Sequence, residues 1–133
     1  MAGAKGIKTI LLKMKEEPTL FDEFLQKVLM FRKSNKYNLR QTFICMCLSL
    51  MNEPACKDLF VRYFLSELLE LQTDRVINVR MQLSESLAAH HKMGHSLINE
   101  IQSLREMVSN LMNDSSRDVR EPLMGIVISQ MIS

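Results

Sequence analysis

Three tripeptides, Asn38-Leu39-Arg40, Asn78-Val79-Arg80 and Asp118-Val119-Arg120, recur at a fixed offset of 40 residues. The same offset superposes Phe24, Phe64 and Leu104, then Val28, Leu68 and Val108, then Phe31, Leu71 and Leu111 upstream of the tripeptide. Downstream it superposes Phe43, Leu83 and Leu123, and Cys47, Leu87 and Val127. Asp74 and Asp114 also coincide, with Ser34 in their place in the first unit. A repeat of this length is one supersecondary unit that cannot bury its apolar face alone, so neighbouring units must supply the rest.

Within each unit the apolar spacing is helical. Leu20, Phe21, Phe24, Leu25, Val28, Leu29 and Phe31 form one stripe at i, i+3, i+4 and i+7. Leu59, Phe60, Phe64, Leu65, Leu68, Leu69 and Leu71 form a second, and Leu97, Ile98, Ile101, Leu104, Val108 and Leu111 a third. No stretch alternates with period two long enough for a strand, and the chain has four glycines and three prolines. The fold class predicted is all-α, with first helices near 19–33, 55–72 and 95–113 and second helices near 38–51, 76–92 and 117–132. Pro54 suits a helix first turn, Gly94 a helix end in the left-handed region, and Pro122 a place in or near a first turn. A further helix near 6–16 places Ile7, Ile10, Leu11 and Met14 on one face, where the second helix of a preceding unit would lie.

A helix pair repeated every 40 residues, with Asp in the turn and Val-Arg opening the second helix, resembles the HEAT repeat of armadillo-like helical proteins. The best-matched stretch runs from Leu68 to Leu87 and carries Leu71, Asp74, Val76, Asn78, Val79, Arg80 and Leu87. Its Asp-x-Val-x-Asn-Val-Arg segment is most similar to the scaffold subunit of type 2A Ser/Thr protein phosphatases and the regulatory subunits of phosphatase 4. Similar turns occur in importins and microtubule-associated arrays. The resemblance implies an α-solenoid of antiparallel helix pairs, a single domain over 1–133 with units at about 19–52, 54–92 and 94–132 and the extra helix at 6–16. It departs from the family in Ser34 and in having three units where family scaffolds have many more.

The repeated Asp and Arg have a mechanical reading. An Asp in the turn accepts N–H bonds at the next helix start, and an Arg whose bidentate fork reaches the Asp of the neighbouring unit builds a ladder along the solenoid. Asp74, Arg80, Asp114, Arg120 and Arg40 are therefore expected to form a structural ladder. In the scaffolds this chain resembles, partners bind along the ridge of turns. The matching positions include Lys33, Lys36, Tyr37, Arg75, Ile77, Ser115 and Arg117, beside Asn35, Gln72, Asn113 and Ser116. Basic, polar and aromatic side chains of this kind suit an interface, against the plainer reading of solvated loops.

Other chemistry is sparse. His91 and His95 are four apart, but Met93-Gly94 falls between them, and with His90 they lack a Cys or carboxylate at ligand spacing. Cys45 and Cys47 are two apart on a helix and point in different directions. A nucleophilic Cys lacks a visible base, and there is no Gly-rich phosphate loop, so no enzyme activity and no cofactor is expected. The net charge of +2 gives no clustered footprint for nucleic acid. No apolar run approaches the roughly 18 residues of a membrane helix. An odd set of three cysteines without a secretory signal fits a reducing compartment, the cytoplasm or the nucleus. Eleven methionines are read first as core fillers and second as adaptable surface. Ile126, Val127, Ile128 and Met131 put apolar residues on more than one side of the last helix, which fits an exposed patch or a continued array. The function that the resemblance implies is a non-catalytic protein-binding scaffold or regulatory subunit, its partner a phosphatase catalytic subunit. The alternative is a HEAT-type adaptor in nuclear transport or cytoskeletal assembly, and self-association is left open.

Overall fold

The computed structural model describes residues 17–94 and 96–126, and among them every regular element is helical. The expected helix at 6–16, His95, and the part of the last helix carrying Val127, Ile128 and Met131 lie outside the described residues. The chain divides into two compact units, residues 1–68 and 69–133.

In the first unit, α1 (Pro18–Lys33) opens with proline at its first turn, where the missing N–H costs no intrahelical bond. Arg32 and Lys33 sit in its last turn, opposite the negative end of the helix dipole. Phe21, Leu25 and Val28 form its buried stripe. A three-residue turn leads to α2 (Tyr37–Met51), which buries Arg40, Phe43, Ile44, Cys47, Leu50 and Met51. That spacing turns one face inward, and Phe43, Cys47 and Leu50 are fully buried.

Residues 54–70 are helical in consecutive segments of changing pitch. A 3₁₀ turn (Pro54–Cys56) with Pro54 in its first turn runs into α3 (Lys57–Leu59). A π-helical stretch (Phe60–Phe64) and α4 (Leu65–Glu70) follow. The wider π turn rotates the apolar face so that Leu59, Phe60, Phe64 and Leu68 are all buried. Phe64 meets Phe43 of α2 at 6.1 Å between ring centroids. Tyr63 meets Phe21 of α1 edge-on at 5.2 Å, and Arg32 of α1 binds Glu67 of α4 at 2.6 Å. The two contacts occur in the same order along both segments, so α1 and the 57–68 helix run in the same sense.

The second unit begins within α4 and continues through a 3₁₀ turn (Leu71–Thr73) to α5 (Ile77–His91). Val79, Leu83 and Leu87 of α5 are buried, as are Leu104, Met107, Val108 and Leu111 of the 102–112 helix, which packs against α5. The chain turns at Gly94, whose φ of 92° is the left-handed conformation that a side chain resists.

The single first helix expected at 95–113 is instead broken. α6 (Leu97–Glu100) ends at Ile101, which is extended at φ −114° and ψ 113°, and α7 (Gln102–Met112) starts afresh. Arg105 Nη1 donates to the carbonyls of Asn99 at 2.8 Å and Ile98 at 3.4 Å, covering oxygens that the break leaves without helical partners. Forty residues earlier, Val61 falls inside the π stretch, so the α-helical ladder is disturbed at the same repeat position in both places. The helix expected at 117–132 is also uneven. α8 (Arg117–Arg120) passes into a 3₁₀ turn (Glu121–Leu123), because Pro122 has no N–H to donate to residue 118.

Candidate partner-binding turns

Three turns, at 34–36, 74–76 and 114–116, share one local architecture. The side-chain oxygen of the first residue accepts the N–H two residues on: Ser34 Oγ from Lys36 at 3.1 Å, Asp74 Oδ1 from Val76 at 2.9 Å, and Asp114 Oδ1 from Ser116 at 2.9 Å. The main-chain carbonyl of the same residue accepts Nη1 of the arginine six residues on. Arg40 reaches Ser34 O at 2.7 Å, Arg80 reaches Asp74 O at 2.6 Å, and Arg120 reaches Asp114 O at 2.6 Å. Ser34 thus performs both local tasks of the aspartates, since a hydroxyl oxygen accepts an N–H as a carboxylate does.

Arg80 does more. Its Nε donates to Asp114 Oδ2 at 2.8 Å and its Nη2 to Asp114 Oδ1 at 3.3 Å, the bidentate fork of a guanidinium on a carboxylate. One arginine therefore braces its own turn through Asp74 and the next turn through Asp114. The pair is largely shielded, with side-chain exposures of 14% and 10%. Burial alone pushes the Asp114 carboxyl up. The Arg80 hydrogen bonds, the Ser116 N–H and the charges of Arg80 and Arg120 outweigh it and hold the group below its ordinary value. Next to this pair, Asn110 Nδ2 donates to Gln72 Oε1 at 2.8 Å.

Outside this brace the turns present exposed side chains. Tyr37 is 46% exposed and Ile77, forty residues on at the start of the equivalent helix, is 47% exposed. Arg117 holds the third equivalent position and is exposed. Lys33 and Lys36 are exposed in the first unit, and Arg75 and Ser115 in the second. The structure thus gathers Arg75, Ile77, Ser115 and Arg117 on two turns of the second unit joined by Arg80 and Asp114, and places Lys33, Lys36 and Tyr37 together in the first.

One surface was missed by the sequence reading. Met30 is 69% exposed and lines a groove with Lys27, Lys33 and the half-buried Phe31 and Leu39. The signal was present: the residues 40 and 80 positions later are Glu70 and Asn110, so Met30 is apolar where the other units are polar.

His90 and His91 have structural tasks. His90 is fully buried, and its Nε2 accepts the Leu97 N–H at 2.9 Å, which fixes a neutral ring with its proton on Nδ1. His91 Nδ1 lies 2.9 Å from Ser96 Oγ, which in turn accepts the Ile98 N–H at 3.2 Å at the start of α6. Among the described residues no group of three or more His, Cys, Asp or Glu side chains is placed to hold a metal ion. Among the described residues no cysteine is in a disulfide; burial pushes the Cys45 thiol up, and burial with the nearby Cys45 pushes Cys47 well up, which disfavours the nucleophilic thiolate. No described helix is long and apolar enough to cross a membrane.

Comparison with family models, with curated proteins and with solved structures finds no match to this chain.

Proposed function

We propose that this chain is a HEAT-type α-solenoid that holds a partner protein on its turns, as a non-catalytic scaffold or regulatory subunit of a Ser/Thr phosphatase complex. The observation that carries this reading is the Arg80 brace, which ties a turn to the equivalent turn forty residues later through Asp114. Such a tie holds successive units in step and frees the neighbouring turn side chains for a partner. Two features add support: α1 and the 57–68 helix run in the same sense, and Tyr37 and Ile77 stand exposed at equivalent positions. The phosphatase assignment rests on the resemblance of the segment Asp74 to Arg80.

Affinity capture of the full chain from cells, followed by identification of co-purifying proteins, tests the assignment. Recovery of a type 2A or type 4 catalytic subunit, reduced by the double substitution Arg75→Glu and Ile77→Asp, is the result expected. Absence of any phosphatase catalytic subunit removes the subtype.

A further inference from the structure

We propose that the groove beside the first turn docks an acidic peptide segment bearing one apolar anchor residue. The proposal rests on the reading of the turns as partner-binding and names the chemistry of the partner at one of them. Phe31 and Leu39 line the groove and are half-buried, whereas the residues at the same repeat positions, Leu71 and Leu111, Val79 and Val119, are exposed by 2% or less. The first unit thus leaves open an apolar seat that the later units close. Met30, 69% exposed, stands at its edge, and a thioether adapts to differing apolar partners.

Charge selects the occupant. Lys27 and Lys33 line the groove, Lys36 follows in the same turn, and no carboxylate lines it among the described residues. Arg32, the other cation of this helix end, is engaged by Glu67. Two ammonium groups lining an apolar seat, with a third on the adjoining turn, favour an extended segment with Asp or Glu flanking a Leu, Met or Phe. The chain's own residues 5–15 carry Lys5, Lys8, Lys13 and Lys15 and no carboxylate, so they are poorly matched to the same seat.

Selection of random twelve-residue peptides displayed on phage against the full chain tests this. The expected peptides are net negative with a single apolar anchor. Their affinity should fall about tenfold in the triple variant Lys27→Gln, Lys33→Gln, Lys36→Gln, as weak exposed ion pairs are lost together, and at least as far in Met30→Glu. Both variants change exposed side chains, and unchanged melting confirms that the fold persists. Selected peptides without net negative charge, equal binding to Met30→Glu, or no enrichment over bare support would overturn the proposal. A photo-crosslinking residue at position 30 adds a second readout. Capture of a selected acidic peptide supports the proposal, and a crosslink to residues 1–16 or to a second copy overturns it. Failed selection with phosphatase capture intact removes the groove alone; successful selection without phosphatase capture removes the phosphatase reading alone.

Discussion

Arg80 grips both carboxylate oxygens of Asp114, 34 residues away in sequence, while its third donor holds the main-chain carbonyl of Asp74. All three nitrogens of a single guanidinium thereby engage two turns, and its planar fork suits the task where a lysine would supply one point of contact.

Truncating that side chain takes the guanidinium away from a shielded carboxylate, which keeps the Ser116 N–H, and from the Asp74 carbonyl. Arg80→Ala is expected to lower unfolding free energy by about 2 kcal/mol, within the range for charge-assisted bonds. Arg80→Lys should recover less than half of it. Urea unfolding followed by circular dichroism measures both, and an unchanged midpoint for Arg80→Ala would contradict the brace.

The same pair sets an acid limit. The folded Asp114 carboxyl titrates below its ordinary 3.8, so the unfolded chain binds the proton more readily. The stabilisation is complete above the ordinary value and is lost as pH falls through the lower folded value. Asp114→Asn should therefore be less stable than the natural chain at pH 7, with the gap narrowing below about pH 4. A gap that widens on acidification would mean that the Asp114 carboxyl binds its proton more readily in the folded chain.

His90 is a second place where one side chain carries a backbone group. Its Nε2 is the acceptor for the Leu97 N–H in a buried setting, so His90→Leu is expected to cost about 1–3 kcal/mol through the orphaned donor. Gln in its place offers an amide oxygen and should cost less. Nitrogen chemical shifts give an independent check, with Nε2 unprotonated and Nδ1 protonated at pH 7. The reverse tautomer would refute the assignment.

Ser84 offers the opposite case. Its Oγ is fully buried in α5 and has no hydrogen-bond partner among the described residues. Removing an unsatisfied hydroxyl relieves its desolvation, so Ser84→Ala should be neutral or stabilising by up to about 1 kcal/mol. Thermal and urea unfolding decide it. A loss above that size would mean the hydroxyl makes a contact that the structure does not contain.

Much of the helical layout was legible in the chain because burial enforces a 3.6-residue period on apolar residues. The ends of α1, α2 and α5 fall within one residue of those read from spacing and turn residues. The period does not register a local change of pitch. Leu97 to Leu111 keeps its apolar spacing through Ile101, where the backbone is extended, and Leu59 to Leu71 keeps it through the π turn at Phe60–Phe64. A stripe specifies which residues go inside; packing against neighbours decides which hydrogen bonds stretch or break to bring them there.

The sequence by itself determined the all-helical class, the forty-residue rhythm and the residue types of each turn, since these follow from side-chain spacing and local hydrogen-bonding preference. The tertiary structure alone decided that one guanidinium, Arg80, braces both Asp114 and Asp74, that His90 caps the Leu97 N–H, and that Phe31 and Leu39 stay partly open while their repeat equivalents are sealed. Those outcomes depend on which surfaces meet across loops of the chain, and a contact between residues 34 apart leaves no period of its own in the sequence.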